Sequence, residues 1–209
     1  MAEVITTAPK SKEAEIKLLI MPLGELTSRL GDDEASTAIK AISNFVNRRS
    51  PGDKQMLLVS DADITSKHTD IVALRLPETE DVIDANFITN NVVGYVGAME
   101  PIKHGARLMS EVGSLKVDDS LRGHGVGTIL FEKIIQAMQD EGITPYAFCN
   151  SDSLPIAKRL GGREIESADE VPPEALELCQ ECPLYGQGSK KHGCCDTVMV
   201  WDKTQNADG

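Results

Sequence analysis

The residues best suited to chemistry lie in a glycine-rich turn between a predicted strand and a predicted helix. The stretch 117–128 reads VDDSLRGHGVGT and contains Arg122 with glycines at 123, 125 and 127. An apolar helical pattern begins directly after it, so the first N–H groups of that helix lack intrahelical partners and its dipole places partial positive charge at the turn. Glycines also let the backbone approach a ligand closely. The turn therefore predicts a phosphate-binding site.

The spacing of the glycines separates this turn from two common phosphate-binding loops. A Walker loop requires GxxxxGK[ST], and no lysine follows Gly127; the dinucleotide fingerprint requires GxGxxG, whereas here alternate residues are glycine. The remaining pattern is Arg-x-x-Gly-x-Gly, formed by Arg122, Gly125 and Gly127. It resembles the pyrophosphate-binding signature of the GNAT superfamily of N-acetyltransferases, which bind acetyl-coenzyme A (acetyl-CoA).

The flanking segments extend this resemblance over about residues 91–168. The stretch 111–117 (EVGSLKV) resembles the fourth strand of the family, and 129–135 resembles its third helix. Residues 145–150 resemble its fifth strand, and 153–162 resemble the helix that ends in a Leu-Gly-aromatic turn. The resemblance implies an α/β GNAT fold, with a mixed central β-sheet, splayed fourth and fifth strands and flanking helices.

The periodicity of apolar residues along the chain predicts the same fold class. The predicted strands span 16–21, 56–59, 71–76, 92–99, 108–117, 146–150, 163–165 and 198–201, and the predicted helices span 32–49, 126–141 and 153–160. We expect a single domain over 13–202 with a Cys-rich insert at about 167–196, between flexible segments at 1–12 and 203–209. Strands that alternate with helices in this way favour an α/β domain with a mixed sheet.

The resemblance also implies which residues bind the coenzyme. Backbone groups of Leu115, Lys116 and Val117 would pair with the pantetheine arm, which lies between the splayed strands. The pyrophosphate would lie against the turn and the start of the helix, formed by Arg122, Gly123, His124, Gly125, Val126, Gly127 and Thr128. Asn150 and Ser153 match positions that often bind the coenzyme, although Asn150 is equally suited to a strand-end turn.

A carboxylate near the strand gap is needed to take the proton of the attacking amine. Glu111 lies six residues before Val117 and resembles the general base in the histone-acetylating branch of the family. The alternative interpretation is that Glu111 has no catalytic role and that its carboxylate faces solvent on the strand. Amide groups at a bulge of the same strand would polarise the thioester carbonyl.

One position departs from the family pattern. Many members carry a tyrosine in the fourth helix, four residues before the Gly of the Leu-Gly-aromatic turn, where it protonates the leaving thiolate. Here Ala157 takes its place, and Gly162 replaces the aromatic residue. Tyr146 and Tyr185 are candidates to supply the proton instead, but the sequence places neither hydroxyl.

A cluster of cysteines near the C-terminus predicts a structural Zn²⁺ site. The pattern is C-x2-C-x11-C-C, and the preferred ligands are Cys179, Cys182, Cys194 and Cys195, with His192 as an alternative ligand. Free thiols in a loop are the competing interpretation. Because the insert has little apolar material of its own, a metal would order it. We expect Cys149, in an apolar strand, to be inert.

Composition excludes some classes of function. The formal net charge is −12, which argues against broad nucleic-acid binding and against a third interpretation, a zinc-dependent nucleic-acid binder. The first residues lack the charge and apolar core of a signal peptide, and the longest apolar run is too short to cross a bilayer. We therefore expect a soluble, cytoplasmic protein without membrane contact.

Two functions remain for the sequence. The first is an acetyl-CoA-dependent N-acetyltransferase whose amine acceptor is a small molecule, a protein or a modified base. The second is a catalytically silent GNAT-like module with a structural or interaction role in a homo-oligomer or larger assembly, which the loss of the family tyrosine at Ala157 favours.

Overall fold

The computed structural model describes residues 2–7, 15–48, 58–77, 82–180 and 197–202, except the side chains of 178–180. Its contacts cluster into two compact units, which are described in turn. Unit 1 comprises residues 1–98 and 114–134, and unit 2 comprises 99–113 and 135–209. Our single-domain assignment for 13–202 stays a prediction.

The strands of unit 1 are β1 (Glu3–Thr7), β2 (Ile16–Pro22), β3 (Thr69–Arg75), β4 (Val92–Ala98) and the C-terminal part of β6 (Arg107–Val117). They are hydrogen-bonded in this order, and each of β1 to β4 runs antiparallel to its neighbour among them. We expected residues 1–12 to be loose, but β-branched Val4, Ile5, Thr6 and Thr7 favour a strand, and β1 pairs with β2 over five positions.

The helices of unit 1 are α1 (Leu23–Thr27), α2 (Asp32–Asn47), α3 (Asp61–Thr65), α4 (Ala85–Asn91) and the start of α5 (Val126–Asp140). The apolar face of α2 packs into a core with β2, β3 and β4, centred on Ile42, Phe45 and Tyr95. Three acidic residues in the first turn of α2 complement its dipole. The described part of the predicted strand over 56–59 is not a strand in the structure. Leu58 and Val59 have no regular secondary structure, and the next residue, Ser60, caps α3.

Unit 2 contains β5 (Ile102–His104), the N-terminal part of β6, β7 (Thr144–Cys149), β8 (Arg163–Glu164) and β9 (Thr197–Val200). Its strand order is β6-β7-β9-β8, and β5 pairs with β6. The β6–β7 pair is parallel whereas β7–β9 and β8–β9 are antiparallel, so the sheet is mixed. The fold class expected from the sequence is therefore confirmed.

The helices of unit 2 are the end of α5, α6 (Leu154–Arg159) and α7 (Pro173–Gln180). We expected the segment 167–196 to have little apolar core of its own. The start of the segment differs from this expectation, because Val171 and Ala175 are buried against Tyr146 and Val198. Within the described residues, no helix is long and apolar enough to span a membrane.

The single tryptophan, Trp201, fills the space beside Gly162, where the family pattern has its own aromatic residue. Its indole N–H donates to Leu160 O at 3.1 Å, and its ring is 3 % exposed. A Cβ added at Gly162 would lie 2.9 Å from the indole and 3.0 Å from Ala157 O. The turn after α6 therefore requires a residue without a side chain.

Gly162→Ala is expected to destabilise the protein by about 2 kcal/mol, because neither the backbone oxygen nor the anchored indole can move away easily. For a chain of this size that corresponds to a melting temperature lower by roughly 4–8 °C, measured by calorimetry. Gly24→Ala is the control, since a Cβ there meets no atom within 4 Å. Equal melting temperatures for the two variants would contradict the packing argument.

Candidate coenzyme-binding site

The predicted phosphate turn lies entirely in unit 1 and has the expected local geometry. β6 ends at Val117, a 3-10 helix spans Asp119–Leu121, and α5 begins at Val126. Gly123 and Gly125 adopt φ of +79° and +84°, a conformation that side chains disfavour. The first hydrogen bond into α5 runs from Ile129 N to Gly125 O at 3.1 Å. The amides of residues 126–128 precede it and therefore have no partner within the helix.

A network of polar residues fixes the chain just before this turn. Asp118 Oδ1 accepts hydrogen bonds from Ser120 N at 3.0 Å and from Ser120 Oγ at 2.6 Å. Arg75 donates to Ser120 Oγ at 3.1 Å, and Arg48 lies 3.7 Å from Asp118. Burial raises the pKa of Asp118, but the Ser120 hydrogen bonds and the two arginine charges outweigh it and leave the pKa lowered. The sequence analysis missed this network, whose only local signal was the Asp-x-Ser turn pattern.

Arg122, the charged residue of the predicted signature, is paired within the turn itself. Its Nε lies 2.9 Å from Asp119 Oδ1, and both side chains are about half exposed. An exposed pair of this kind contributes little stability, so a phosphate can displace the carboxylate at small cost. Arg122 therefore lies at the predicted turn, but the carboxylate of Asp119 competes with a phosphate for its guanidinium group.

Glu111, the predicted base, lies in unit 2 and is half-buried on β6. Glu111 is in register with Tyr146 of the neighbouring strand β7. Burial raises the pKa of the Tyr146 hydroxyl, and the negative charges of Glu111 and Glu174 raise it further. A Cβ built on Gly113 would lie 3.5 Å from Glu111 Oε1, so the carboxylate extends along the strand over a residue that has no side chain. This position suits a group that must contact a substrate beside β6.

The pairing of β6 with β7 stops early. The parallel register covers only Met109, Ser110 and Glu111, and the remainder of β7 pairs with β9 alone among the described strands. Three residues later, Ser114 adopts φ of +56°, which is uncommon for a residue other than glycine. The predicted irregularity in β6 has a counterpart in Ser114, and the pairing with β7 ends before this residue.

Asn150 and Ser153 lie in unit 2 at the turn after β7. Asn150 Oδ1 accepts from Asp152 N at 2.9 Å, Ser153 N at 3.1 Å and Ser153 Oγ at 3.3 Å. The turn role that we weighed for Asn150 is therefore observed, and its carboxamide nitrogen is the group through which it would contact a coenzyme. Ala157 is completely buried in α6.

The remaining predicted residues divide between the units and the undescribed segments. Leu115, Lys116, Val117 and His124 lie in unit 1 with the turn, and Lys116 is 7 % exposed. The predicted zinc ligands Cys182, Cys194, Cys195 and His192, and also Tyr185, lie outside the described residues, and only the backbone of Cys179 is described. Within the described part of the chain, no group of three metal-binding side chains occurs.

Comparison with known sequences matches this chain to acetyltransferases. A model of the acetyltransferase (GNAT) family matches residues 59–161. An uncharacterised N-acetyltransferase of Chlorobaculum tepidum is 29% identical over 92 residues, which are 44% of this chain and 54% of that protein. The chain thus matches about half the length of this curated relative.

Solved structures of low sequence identity share the fold. The GNAT domain of S. lividans PAT has a TM-score of 0.54 at 13% identity and covers 96% of both chains. NAA60 of Arabidopsis thaliana, in complex with a bisubstrate analogue, has a TM-score of 0.52 at 10% identity and covers 88% of this chain and 97% of its own. Rv2747 from Mycobacterium tuberculosis, in complex with CoA and NLQ, has a TM-score of 0.50 at 18% identity, with 79% and 93% covered.

Proposed function

Because the chain belongs to the GNAT superfamily of acetyltransferases, we propose that it is an acetyl-CoA-dependent N-acetyltransferase. The observation that carries this proposal is the turn at 122–128, where two glycines of positive φ precede the first amides of α5, which have no partner within the helix. These amides and Arg122 would hold the pyrophosphate. The backbone of Leu115, Lys116 and Val117 would hold the pantetheine arm, with Asn150 and Ser153 as further contacts.

The proposed reaction is direct transfer of the acetyl group to a primary amine. Glu111, directly or through water, takes the proton of the amine, and the nitrogen attacks the thioester carbonyl. Amides of β6 near the irregular residue Ser114 would stabilise the oxyanion. The C–S bond then breaks, the amide forms, and the CoA thiolate leaves and takes a proton. Ala157 cannot supply that proton, so it would come from water or from Tyr146.

A calorimetric titration with acetyl-CoA tests the proposal. Arg122→Ala is expected to weaken binding of acetyl-CoA about tenfold, the worth of one charge-assisted hydrogen bond. It should leave the affinity for acetyl-pantetheine, which lacks the pyrophosphate, unchanged. Arg29→Ala is the control, because Arg29 also forms an exposed ion pair with a carboxylate of unit 1. If Arg122→Ala weakens both ligands equally, Arg122 does not contact the pyrophosphate.

The second candidate is a silent GNAT-like module that functions through assembly with itself or with a partner protein. Ala157 favours it, because a fully buried alanine stands where many relatives have a proton donor. Absence of heat and of thermal stabilisation on addition of acetyl-CoA would favour this module and would overturn the enzyme.

A structural Zn²⁺ bound by Cys179, Cys182, Cys194 and Cys195, with His192 as the alternative ligand, is a separate proposal. It rests on ligand type and spacing alone. Elemental analysis of the purified protein is expected to find about one zinc per chain, and double replacement of Cys194 and Cys195 by serine should abolish it. A metal-free protein that is folded would contradict the proposal.

A further inference from the structure

Unit 1 contains a half-open cavity that the proposed coenzyme site does not use. Its volume is about 320 Å³, and α1, α3, the first residues of β3 and Ile39 of α2 form its walls. Leu23, Ile39 and Ile64 provide an apolar surface. A cavity of this size accommodates a small organic molecule.

The cavity wall contains Asp70, the only carboxylate among the buried residues that the structure describes. Asp70 is 8 % exposed, and its Oδ2 accepts a hydrogen bond from Tyr95 Oη at 3.2 Å. Burial raises the pKa of Asp70 to about 6, whereas the Tyr95 hydrogen bond and the charge of Lys67 partly lower it. Burial of a carboxylate is costly, and the charge of Lys67 offsets only part of that cost, so a bound cation would further stabilise the ionised form of Asp70.

Other polar groups of the cavity also favour a hydrogen-bond donor as the ligand. Thr27 and Thr65 line the cavity, and each donates its hydroxyl hydrogen to its own helix: Thr27 Oγ1 to Leu23 O at 3.1 Å, and Thr65 Oγ1 to Ala62 O at 3.0 Å. Their oxygens therefore remain as acceptors. A primary ammonium ion has three N–H donors, which match one carboxylate and two hydroxyl oxygens.

We propose that this cavity binds a small primary amine as its ammonium ion, with Asp70 as the counter-charge and the apolar wall against its carbon chain. The ligand is either the acetyl acceptor or an effector. Its assignment as acceptor rests on the proposed function, whereas binding does not. Lys67 and His68 also line the cavity, and the positive charge of Lys67 would oppose the ligand.

The test is calorimetry of the full chain with n-butylamine and phenethylamine, and with n-butanol and 2-phenylethanol as their uncharged counterparts. The amines should bind and the alcohols should not. Because a pKa of about 6 leaves roughly one Asp70 in ten ionised at pH 5, amine affinity should be about tenfold weaker at pH 5 than at pH 7.5. Asp70→Asn should reduce affinity at pH 7.5 at least about tenfold and remove this part of the pH dependence.

Two further variants keep the proposal falsifiable if Asp70→Asn fails to fold. Thr27→Val should weaken amine binding, and Lys67→Met should strengthen it. Glu25→Gln is the control, because Glu25 lies on α1 but does not line the cavity. No amine binding by the wild type, or equal affinity in the wild type, Thr27→Val and Lys67→Met, overturns the proposal. Acetyl-CoA binding by the wild type, measured separately, tests the proposed function, so its absence there would count against that function and not against amine binding.

The source of the ligand is decided by mass spectrometry after incubation with acetyl-CoA. Acetylated amine that is formed by the wild type, and much less by Thr27→Val, identifies the cavity as the acceptor site. A bound amine that stays unmodified while the protein consumes acetyl-CoA with another acceptor identifies an effector site.

Discussion

Glu111→Gln is expected to reduce kcat for acetyl transfer about a hundredfold and to leave acetyl-CoA affinity nearly unchanged. Positioned general bases typically contribute 10²–10⁴-fold, and glutamine keeps the size and the hydrogen-bonding oxygen but cannot take a proton. The carboxylate extends over Gly113 on β6, where a substrate beside the strand would meet it. Release of CoA thiol with an excess of primary amine gives kcat, and calorimetry gives the affinity.

The control for this experiment is Glu174→Gln. Glu174 is exposed on α7, and its charge also acts on the Tyr146 hydroxyl. If Glu111 affects the reaction only through the field at Tyr146, the two variants should lose similar activity. A large loss in Glu111→Gln alone supports proton transfer, and an unchanged kcat in Glu111→Gln removes Glu111 from the mechanism.

Gly125→Trp is expected to weaken acetyl-CoA binding more than about a hundredfold. The residue adopts φ of +84°, which strains any side chain there, but an added Cβ would meet no described atom within 4 Å and would point into open space. That space is where the proposal places the pyrophosphate, and the indole would occupy it. Loss of several charge-assisted hydrogen bonds, each worth about 1.5–3 kcal/mol, accounts for the expected magnitude. Thermal shift and calorimetry with acetyl-CoA measure it.

Gly105→Trp separates this steric effect from backbone strain. Gly105 also has a positive φ, +60°, and a Cβ there also meets nothing within 4 Å, but it lies in the β5–β6 turn. Both variants should lose similar thermal stability. If both also lose acetyl-CoA affinity equally, the glycine turn at 122–128 is not the phosphate site.

The sequence predicted those elements whose pattern is local. The turn, α5 and its end at Gly142, which has φ of +82°, followed from glycine spacing and helical periodicity. Four short helices, α1, α3, α4 and α7, were not predicted. Pro22 and Gly24 indicated the end of a strand and no helix. In the structure, Pro22 directly precedes α1 and Gly24 lies within it. A proline before the first turn is compatible with a helix. α3 depends on a Ser60 cap and α4 on an Asp84 cap, and both are too short for periodicity to reveal.

The candidate site was predictable where neighbouring residues form it and not where distant residues meet. Residues 115–128 form one continuous stretch, so the sequence indicated them together. The contact of Arg75 with Ser120 joins positions far apart in the sequence, and no local pattern around either residue predicts it. Asp70 did leave a signal, an acidic residue at the start of the apolar run IVAL, but only the structure connects it with Tyr95 and with a cavity.

The position of Trp201 has a practical consequence for measurement. It is the only tryptophan of the chain and is packed against Gly162 within unit 2. Emission excited at the red edge of the indole band therefore originates from unit 2 alone, whereas far-ultraviolet circular dichroism averages over the helices of both units. Following the two signals during the same denaturant titration distinguishes concerted melting from stepwise melting without any label.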